Sequence, residues 1–384
     1  MLSLAALILA GASMPRLPIA SPTVLSPALS EGLRPLADRR RFTLGAATPV
    51  RCLQKGFDGG RYAATLDANF NMIELENELK PPAIWKGPRE YDFSQTDYVL
   101  GAPGKKGWAQ QHRMKVRGHV LIYAKDEGYT LPEWFKGPLG DVSKEQAAEM
   151  LHGYIRALAG RYRGKIAMWD VVNEAIDDRP NNGNPFNLRN NYWFRKLGPE
   201  YLVLAFKWAR EADPRAELYY NDYGVEDGGP KGQHMLALGK WLKEKKAPIT
   251  GLGLQYHIDC RTKIEPNGPY YRYVDDIRKL GLDYMVTELD VTVPAQTFPA
   301  GDPNRGMVPA DPADLGRQAE VYASVFKMAL STRRCRGINI WGLTDRFSWI
   351  PGFSGGRNGA ALLFDGDYRP KAAWSAVEAV LKAK

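Results

Sequence analysis

Residues 143–174 read SKEQAAEMLHGYIRALAGRYRGKIAMWDVVNE, and the change of pattern inside this stretch decides the fold class. Its first half is helical. Ser143 and Gln146 are spaced as a capping box, apolar residues recur at helical intervals, and Gly164 follows the end. From Ile166 the helical period stops. Ile166–Val171 is a short apolar run, as expected of a strand buried on both faces, and it leads into Asn173-Glu174.

The same alternation repeats outward in both directions. Strands are expected at Phe42–Ala47, Phe70–Leu75, Lys115–Ile122, Ile166–Val171, Glu217–Tyr220, Gly251–Gln255, Tyr284–Leu289 and Gly337–Trp341. Helical patterns cover about 143–162, 193–212, 230–246 and 313–332; the last opens on Asp311-Pro312, an N-cap followed by proline at the first helical position. Eight strands alternating with helices imply parallel pairing through right-handed crossovers. No Ser/Gly-rich linker or repeat divides residues 35–384. The fold class is therefore α/β, and a single (β/α)8 TIM barrel over residues 36–384 fits better than two domains. A doubly wound sheet is the alternative, but no G-x-G-x-x-G follows the first strand.

In such a barrel, chemistry belongs at the C-terminal ends of the strands. Those ends carry Glu76-Asn77-Glu78-Leu79-Lys80, His119, Asn173-Glu174, Asn221-Asp222-Tyr223, Gln255-Tyr256-His257, Glu288-Leu289-Asp290 and Trp341-Gly342 with Asp345. Any one of these could be an ordinary loop cap. The set converging on one mouth points to a site. Glu174 and Glu288 terminate two apolar strands, and paired carboxylates suit glycoside hydrolysis: one protonates the leaving oxygen while the other attacks the anomeric carbon or activates water. No G-x-S-x-G elbow and no HExxH occur, and the five histidines are scattered, which argues against a serine hydrolase or a zinc hydrolase. No metal and no cofactor are expected.

The 384 residues carry a net charge of +9, but the basic residues are scattered, so no nucleic-acid partner is expected. Cys52, Cys260 and Cys335 form no CxxC pair. No run is long enough to span a membrane. Leu2–Ala12 is a short apolar stretch with an A-x-A site at Ala10-Gly11-Ala12, and residues 13–30 are rich in Pro, Ser and Ala. Residues 1–35 are thus expected to be a signal peptide and linker, and the product secreted or periplasmic.

At the strand ends the sequence resembles the retaining xylanases of glycoside hydrolase family ten, over about residues 40–382. Trp169-Asp170-Val171-Val172-Asn173-Glu174-Ala175 is similar to that family's acid/base segment, and Thr287-Glu288-Leu289-Asp290 to its nucleophile segment. Glu76-Asn77-Glu78-Leu79-Lys80, Arg117-Gly118-His119, Asn221-Asp222-Tyr223, Gln255-x-His257, Trp341-Gly342-x-x-Asp345-x-x-Ser348-Trp349 and Leu362-Leu363-Phe364-Asp365 with Tyr368-x-Pro370-Lys371 match further segments in order.

The resemblance implies an endo-acting β-1,4-xylanase with xylan or xylo-oligosaccharides as substrate, Glu174 as general acid/base and Glu288 as nucleophile. It implies that His257 donates to Glu288, that Asp290 orients His257, that Asn173 binds the sugar 2-hydroxyl, and that Gln255 fixes Glu174 or the sugar. Glu76, Asn77, Lys80 and His119 would hold sugars on the non-reducing side, Trp341 and Trp349 would wall the cleft, and Tyr223 would be a platform on the leaving-group side. Glu174 is expected to have its pKa raised by burial and by Glu288. Trp169 and Trp193 are expected in the core, and a monomer is expected.

Three departures stand out. The family usually has Trp-His where Tyr123-Ala124 stand, so Tyr123 would keep an aromatic wall with a different polar edge. Pro81-Pro82 follow Lys80 where an aromatic is common. Ala329 occupies the place of a cysteine that often pairs with the equivalent of Cys335, which leaves Cys335 a free thiol. Two rivals follow: an enzyme of narrower scope acting on short xylo-oligosaccharides or aryl glycosides, and a non-catalytic carbohydrate-binding barrel.

Overall fold

The computed structural model describes residues 31–180, 182–294 and 310–383, so the expected leader at Leu2–Ala12 and the segment after it lie outside the described residues. In chain order the elements are β1 (Leu44–Thr48), α1 (Arg61–Asn69), β2 (Met72–Leu75), α2 (Ser94–Leu100), β3 (Lys115–Gly118), α3 (Lys144–Arg161), β4 (Met168–Asn173) and α4 (Glu200–Ala212), and then β5 (Glu217–Asp222), α5 (Pro230–Glu244), β6 (Gly251–Leu254), α6 (Pro269–Lys279), β7 (Asp283–Pro294), α7 (Pro312–Ser331), β8 (Cys335–Ile340) and α8 (Ala372–Lys382). Each strand pairs in parallel with its successor. The β8–β1 pairing closes the ring. This is the closed eight-stranded (β/α)8 barrel, and residues Gly32–Lys384 form one compact unit.

The helices form where the sequence supplies caps. Ser143 Oγ accepts from the Gln146 amide at 3.3 Å while Gln146 Oε1 accepts from the Ser143 amide at 2.9 Å. Asp311 Oδ1 accepts from the Ala313 amide at 2.8 Å, just ahead of α7. The helix expected over 193–212 is in fact two, Tyr192–Leu197 and α4, because Gly198 takes a φ of +65° and Pro199 cannot continue the first. The barrel also begins earlier than the expected boundary at residue 36. Leu33 is fully buried, and its amide and the indole of Trp374 in α8 both donate to Asn69 Oδ1, at 3.2 and 2.9 Å.

The barrel interior is layered. At the bottom, Met72, Met168, Tyr219 and Met285 form a small apolar cluster separate from the main core. Gly45 makes room for it, since a Cβ there would lie 2.4 Å from the Met72 methyl. Above lies a dry charged layer. Arg117 donates to Glu74 Oε1 at 2.8 Å and pairs closely with Asp170, while Asn339 Nδ2 donates to Glu74 Oε2 at 2.9 Å. A buried guanidinium is tolerable only when paired in this way. The strand mouth lies above this layer. The strand expected over Lys115–Ile122 is interrupted: β3 ends at Gly118, and pairing with β4 resumes only at Ile122–Tyr123.

Candidate active site

Glu288 lies within β7 and is nearly fully buried. The register of β7 against β8 shifts between Val286 and Leu289. Such an irregularity re-aims side chains, and here consecutive residues reach one partner: Thr287 Oγ1 donates to Asn221 Oδ1 at 2.7 Å, and Asn221 Nδ2 donates to Glu288 Oε1 at 2.7 Å. Gly253 on β6 leaves space for the Asn221 amide, since a Cβ there would lie 2.3 Å from Asn221 Oδ1. The other carboxylate oxygen of Glu288 is 3.3 Å from His257 Nε2. His257 Nδ1 contacts Asp290 Oδ2 at 2.9 Å, and the Trp349 indole donates to the same oxygen at 2.9 Å.

This framework decides the charge of Glu288. Burial pushes its pKa up, but the His257 hydrogen bond and the charges of His119, His257 and Arg117 outweigh burial and hold it at about 2. His257 is affected the opposite way. Burial pulls its pKa down, yet Asp290 and Glu288 raise it well above the ordinary imidazole range, so the ring is an imidazolium between two carboxylates.

Glu174 follows β4 directly and is also buried. Its φ of +56° lies in the left-handed region, unusual for a residue with a side chain. Its backbone is held there from two sides: its amide donates to Asn221 O at 2.9 Å, and Arg189 Nε donates to its carbonyl at 3.0 Å. Oε1 accepts from Tyr123 Oη at 2.7 Å, Gln255 Nε2 at 3.0 Å and Asn173 Nδ2 at 3.2 Å. Oε2 forms a close ion pair with the Lys125 ammonium. The expected upward pKa shift of Glu174 is corrected here. Burial does push upward, but the Lys125 ammonium against Oε2, with the donors Gln255 and Tyr123 on Oε1, pulls the carboxyl below its ordinary value.

The two carboxylates are joined by a short chain of amides. Asn221 Nδ2 serves Glu288 and also donates to Asn173 Oδ1 at 2.8 Å, and Asn173 Nδ2 reaches Glu174. Around them stand the rings the sequence singled out. His119 meets Trp341 edge to face at 5.6 Å between centroids and Tyr123 at 6.0 Å; His257 meets Trp349 at 5.0 Å. His119 Nδ1 is anchored on Asp170 Oδ2 at 2.8 Å. Lys80 Nζ donates to Asn77 Oδ1 at 2.8 Å and lies 5.9 Å from the centre of the Tyr123 ring. Burial raises the Glu76 pKa, against the pull of Lys80, and lowers that of Lys80.

Tyr223 is placed differently from a bare platform. Lys231 Nζ lies 3.5 Å from the centre of its ring and Lys125 Nζ 5.0 Å, and its hydroxyl donates to Asp178 at 2.5 Å. Trp169 and Trp193 are core residues, as expected. Cys260 is a buried thiol 3.4 Å from Asp314 Oδ1, and all three cysteines are free.

Glu74, His119 and Asp170 have metal-ligand spacing. The Arg117 guanidinium already bonds both carboxylates there, so a cation's place is filled by the chain itself. Among the described residues no helix is long and apolar enough to cross a membrane.

Reading the sequence missed three parts of this site. Asn221 stands in a quoted motif and received no role. Arg117 interrupts an apolar strand, a signal of a buried ion-pair layer. Lys125 comes directly after the departure Tyr123-Ala124.

Known proteins share this architecture. The family model described as glycosyl hydrolase family 10 matches residues 32–380. Endo-1,4-beta-xylanase B of Thermotoga neapolitana is 34% identical over 352 residues, spanning 92% of this chain and 92% of its own. The crystal structure of native xylanase 10B from Thermotoga maritima superposes with a TM-score of 0.79 at 32% identity, covering 91% of this chain and 98% of that one. Xylanase 10B from Thermotoga petrophila RKU-1, solved in complex with xylobiose, gives the same TM-score and identity over 91% of this chain and 97% of its own. With its barrel, its mouth and nearly its whole length matched, this chain belongs to glycosyl hydrolase family 10.

Proposed function

We propose that this protein is an endo-1,4-β-xylanase that cleaves internal β-1,4-xylosidic bonds by retaining double displacement, with Glu288 as nucleophile and Glu174 as acid/base. The observation that carries the assignment is the electrostatic asymmetry of the pair. Glu288 is held ionised by a built-in imidazolium, as a nucleophile must be. Glu174 has no such fixed partner in the barrel wall and can change its proton with the state of the cleft.

In the first step Glu288 attacks the anomeric carbon, the glycosidic bond breaks, and Glu174 delivers a proton to the departing oxygen. The glycosyl–enzyme ester neutralises Glu288. In the second step Glu174, now a carboxylate, takes a proton from water; the water oxygen bonds to the anomeric carbon and Glu288 is released. Asn173 binds the sugar 2-hydroxyl. Glu76, Asn77, Lys80 and His119 bind the sugars on the non-reducing side, with Tyr123, Trp341 and Trp349 as apolar walls. Tyr223 borders the leaving-group side.

NMR of fresh xylan digestion tests the reading. The expected first product is the β-anomer, from internal cuts that shorten the polymer quickly. An α-anomer formed first would sink retention, and cleavage confined to short oligosaccharides or aryl glycosides would favour the narrower enzyme. We further propose export, supported by the apolar Leu2–Ala12 stretch ahead of the Pro- and Ser-rich segment. N-terminal sequencing of protein from the culture medium or periplasm would check it; full-length chain retained in the cytoplasm would refute it.

A further inference from the structure

Lys125 is the feature of the mouth that the mechanism leaves unused, and it sits on the oxygen the mechanism needs. Tyr123, Gln255 and Asn173 all donate to Oε1 of Glu174, which leaves Oε2 as the oxygen to carry and deliver a proton. Lys125 Nζ is bound to that oxygen. A general acid cannot be protonated there, nor meet a leaving oxygen, while an ammonium occupies the position.

We propose that Lys125 is a positioning residue for the reaction: it holds Glu174 as an aimed carboxylate in the empty cleft, and it must swing off Oε2 when the leaving-group sugar binds.

The inference rests on the reading of Glu174 as acid/base. The backbone of Lys125 is fixed on both sides, the preceding Ala124 amide donating to the Asn173 carbonyl at 2.9 Å, which makes the side chain the moving part. Thr130 Oγ1 donates to the Lys125 carbonyl at 2.9 Å. The next residue, Asp126, accepts from the Tyr192 amide at 2.8 Å and pairs with Arg195 at 2.7 Å. The four-carbon stem has room to move: its ammonium lies between the rings of Tyr123 and Tyr223, 5.9 and 5.0 Å from their centres, with Lys231 holding the Tyr223 ring more closely at 3.5 Å.

The other groups around Glu174 cannot substitute for it. On the β2 side, Lys80 already donates to Asn77. Tyr123 and Tyr129 come from the segment after β3, and their phenols are pushed up by burial and by carboxylates, so they stay neutral. Asp222 and Tyr223 face it from β5 and Glu288 from β7, and none of these adds positive charge. Arg189, from the loop after β4, holds the Glu174 carbonyl and Asp178. When Lys125 leaves, Glu174 loses the cation in contact with its carboxylate and remains buried with Glu288 nearby and only the more distant Lys80 charge to oppose it, and it takes a proton from solvent. Once the leaving group has departed, the ammonium returns and keeps the carboxylate ionised until a water is in place.

The test compares pH profiles of kcat/KM for wild type, Lys125→Met and Lys125→Arg on xylan and on an aryl xylobioside. The high-pH limb of kcat/KM reports the acid of the free enzyme. Removing the ammonium should move that limb up by about one pH unit or more in Lys125→Met, since an opposite charge at this range lowers a carboxyl by about that much. The low-pH limb should stay, and KM for xylan should fall. Lys125→Arg keeps the charge and should keep the wild-type limb. Superimposable high-pH limbs in wild type and Lys125→Met, or equal shifts in both variants, would overturn the proposal. Failure of the acid/base reading is distinguishable: it would show as xylan hydrolysis surviving Glu174→Ala in the wild-type background.

Discussion

The two halves of the catalytic mouth solve one problem differently. Both centre on a buried glutamate at the end of a barrel strand. On the Glu288 side every partner belongs to the barrel wall or is fixed against it: Asn221 on β5, His257 after β6, Asp290 on β7, and Trp349 donating to Asp290. On the Glu174 side the decisive charge comes from a lysine on the segment after β3. Burial pushes both carboxyls the same way, and both end up below their ordinary values. The difference lies in how reversible the opposing pull is. An imidazolium between two carboxylates cannot leave. A lysine on a flexible stem can. Fixed ionisation suits a nucleophile, and exchangeable ionisation suits a group that must be acid in one step and base in the next.

The most severe break of this comparison is Glu288→Ala. With no group to form the glycosyl–enzyme bond, hydrolysis of every glycoside should fall by on the order of 10⁴-fold or more in kcat. Appreciable residual turnover on an aryl xylobioside would remove Glu288 from its role. Glu174→Ala should be milder and selective. Natural xylan should lose about 10²–10⁴-fold, while aryl glycosides with good leaving groups keep their first step, seen as a burst of released phenol. Equal loss on both substrates would contradict an acid role.

Asp290→Asn probes the fixed half from behind, with an expected loss of about 10–100-fold, typical of a group that orients another. Its pH signature has a definite sign. Asp290 raises the His257 pKa, so its removal weakens the imidazolium; Glu288 then rises from about 2 toward the ordinary carboxylate value, and the low-pH limb of kcat/KM moves to higher pH. An unmoved limb would mean that His257 does not govern Glu288. The same shift bears on stability. A carboxyl lowered by folding stabilises fully above its unfolded pKa, and that contribution is lost as pH falls toward about 2, so acid unfolding of Asp290→Asn should begin at higher pH than in wild type. Circular dichroism against pH reads this directly.

The smallest effect is expected from Tyr223→Phe, which removes the bonds to Asp178 and from Arg189 but keeps the ring beside both lysines. KM should change by less than about tenfold, in keeping with two hydrogen bonds at the rim of the cleft. A large loss of kcat would place the hydroxyl in the chemistry.

Much of the site was legible before the fold was known, for a simple reason. A polar residue ending an apolar strand is visible in one dimension, and the barrel brings all such ends to one face. That is why Glu174, Glu288, Asn173, Gln255 and His257 could be assembled from strand ends alone. Asn221 was visible in the same way, but its role depends on Gly253 leaving space and on the register shift in β7, which no local pattern shows. The two-helix break at Gly198-Pro199 was legible and passed over; both residues are helix terminators.

The α/β alternation, the two glutamates and the family are legible along the chain, because they depend on periodicity, strand-end chemistry and motif order. The charge of each glutamate is set only in the folded barrel. A pKa is set by what surrounds a group in space, and the groups that matter lie far away in the chain: His119 and Arg117 for Glu288, and Lys125 for Glu174. Burial and a neighbouring carboxylate were enough to predict a raised Glu174. An ammonium some fifty positions earlier, folded onto its other oxygen, reverses the sign together with the hydrogen bonds of Gln255 and Tyr123, because at contact distance in a dry site opposite charge and directed donors outweigh the loss of water.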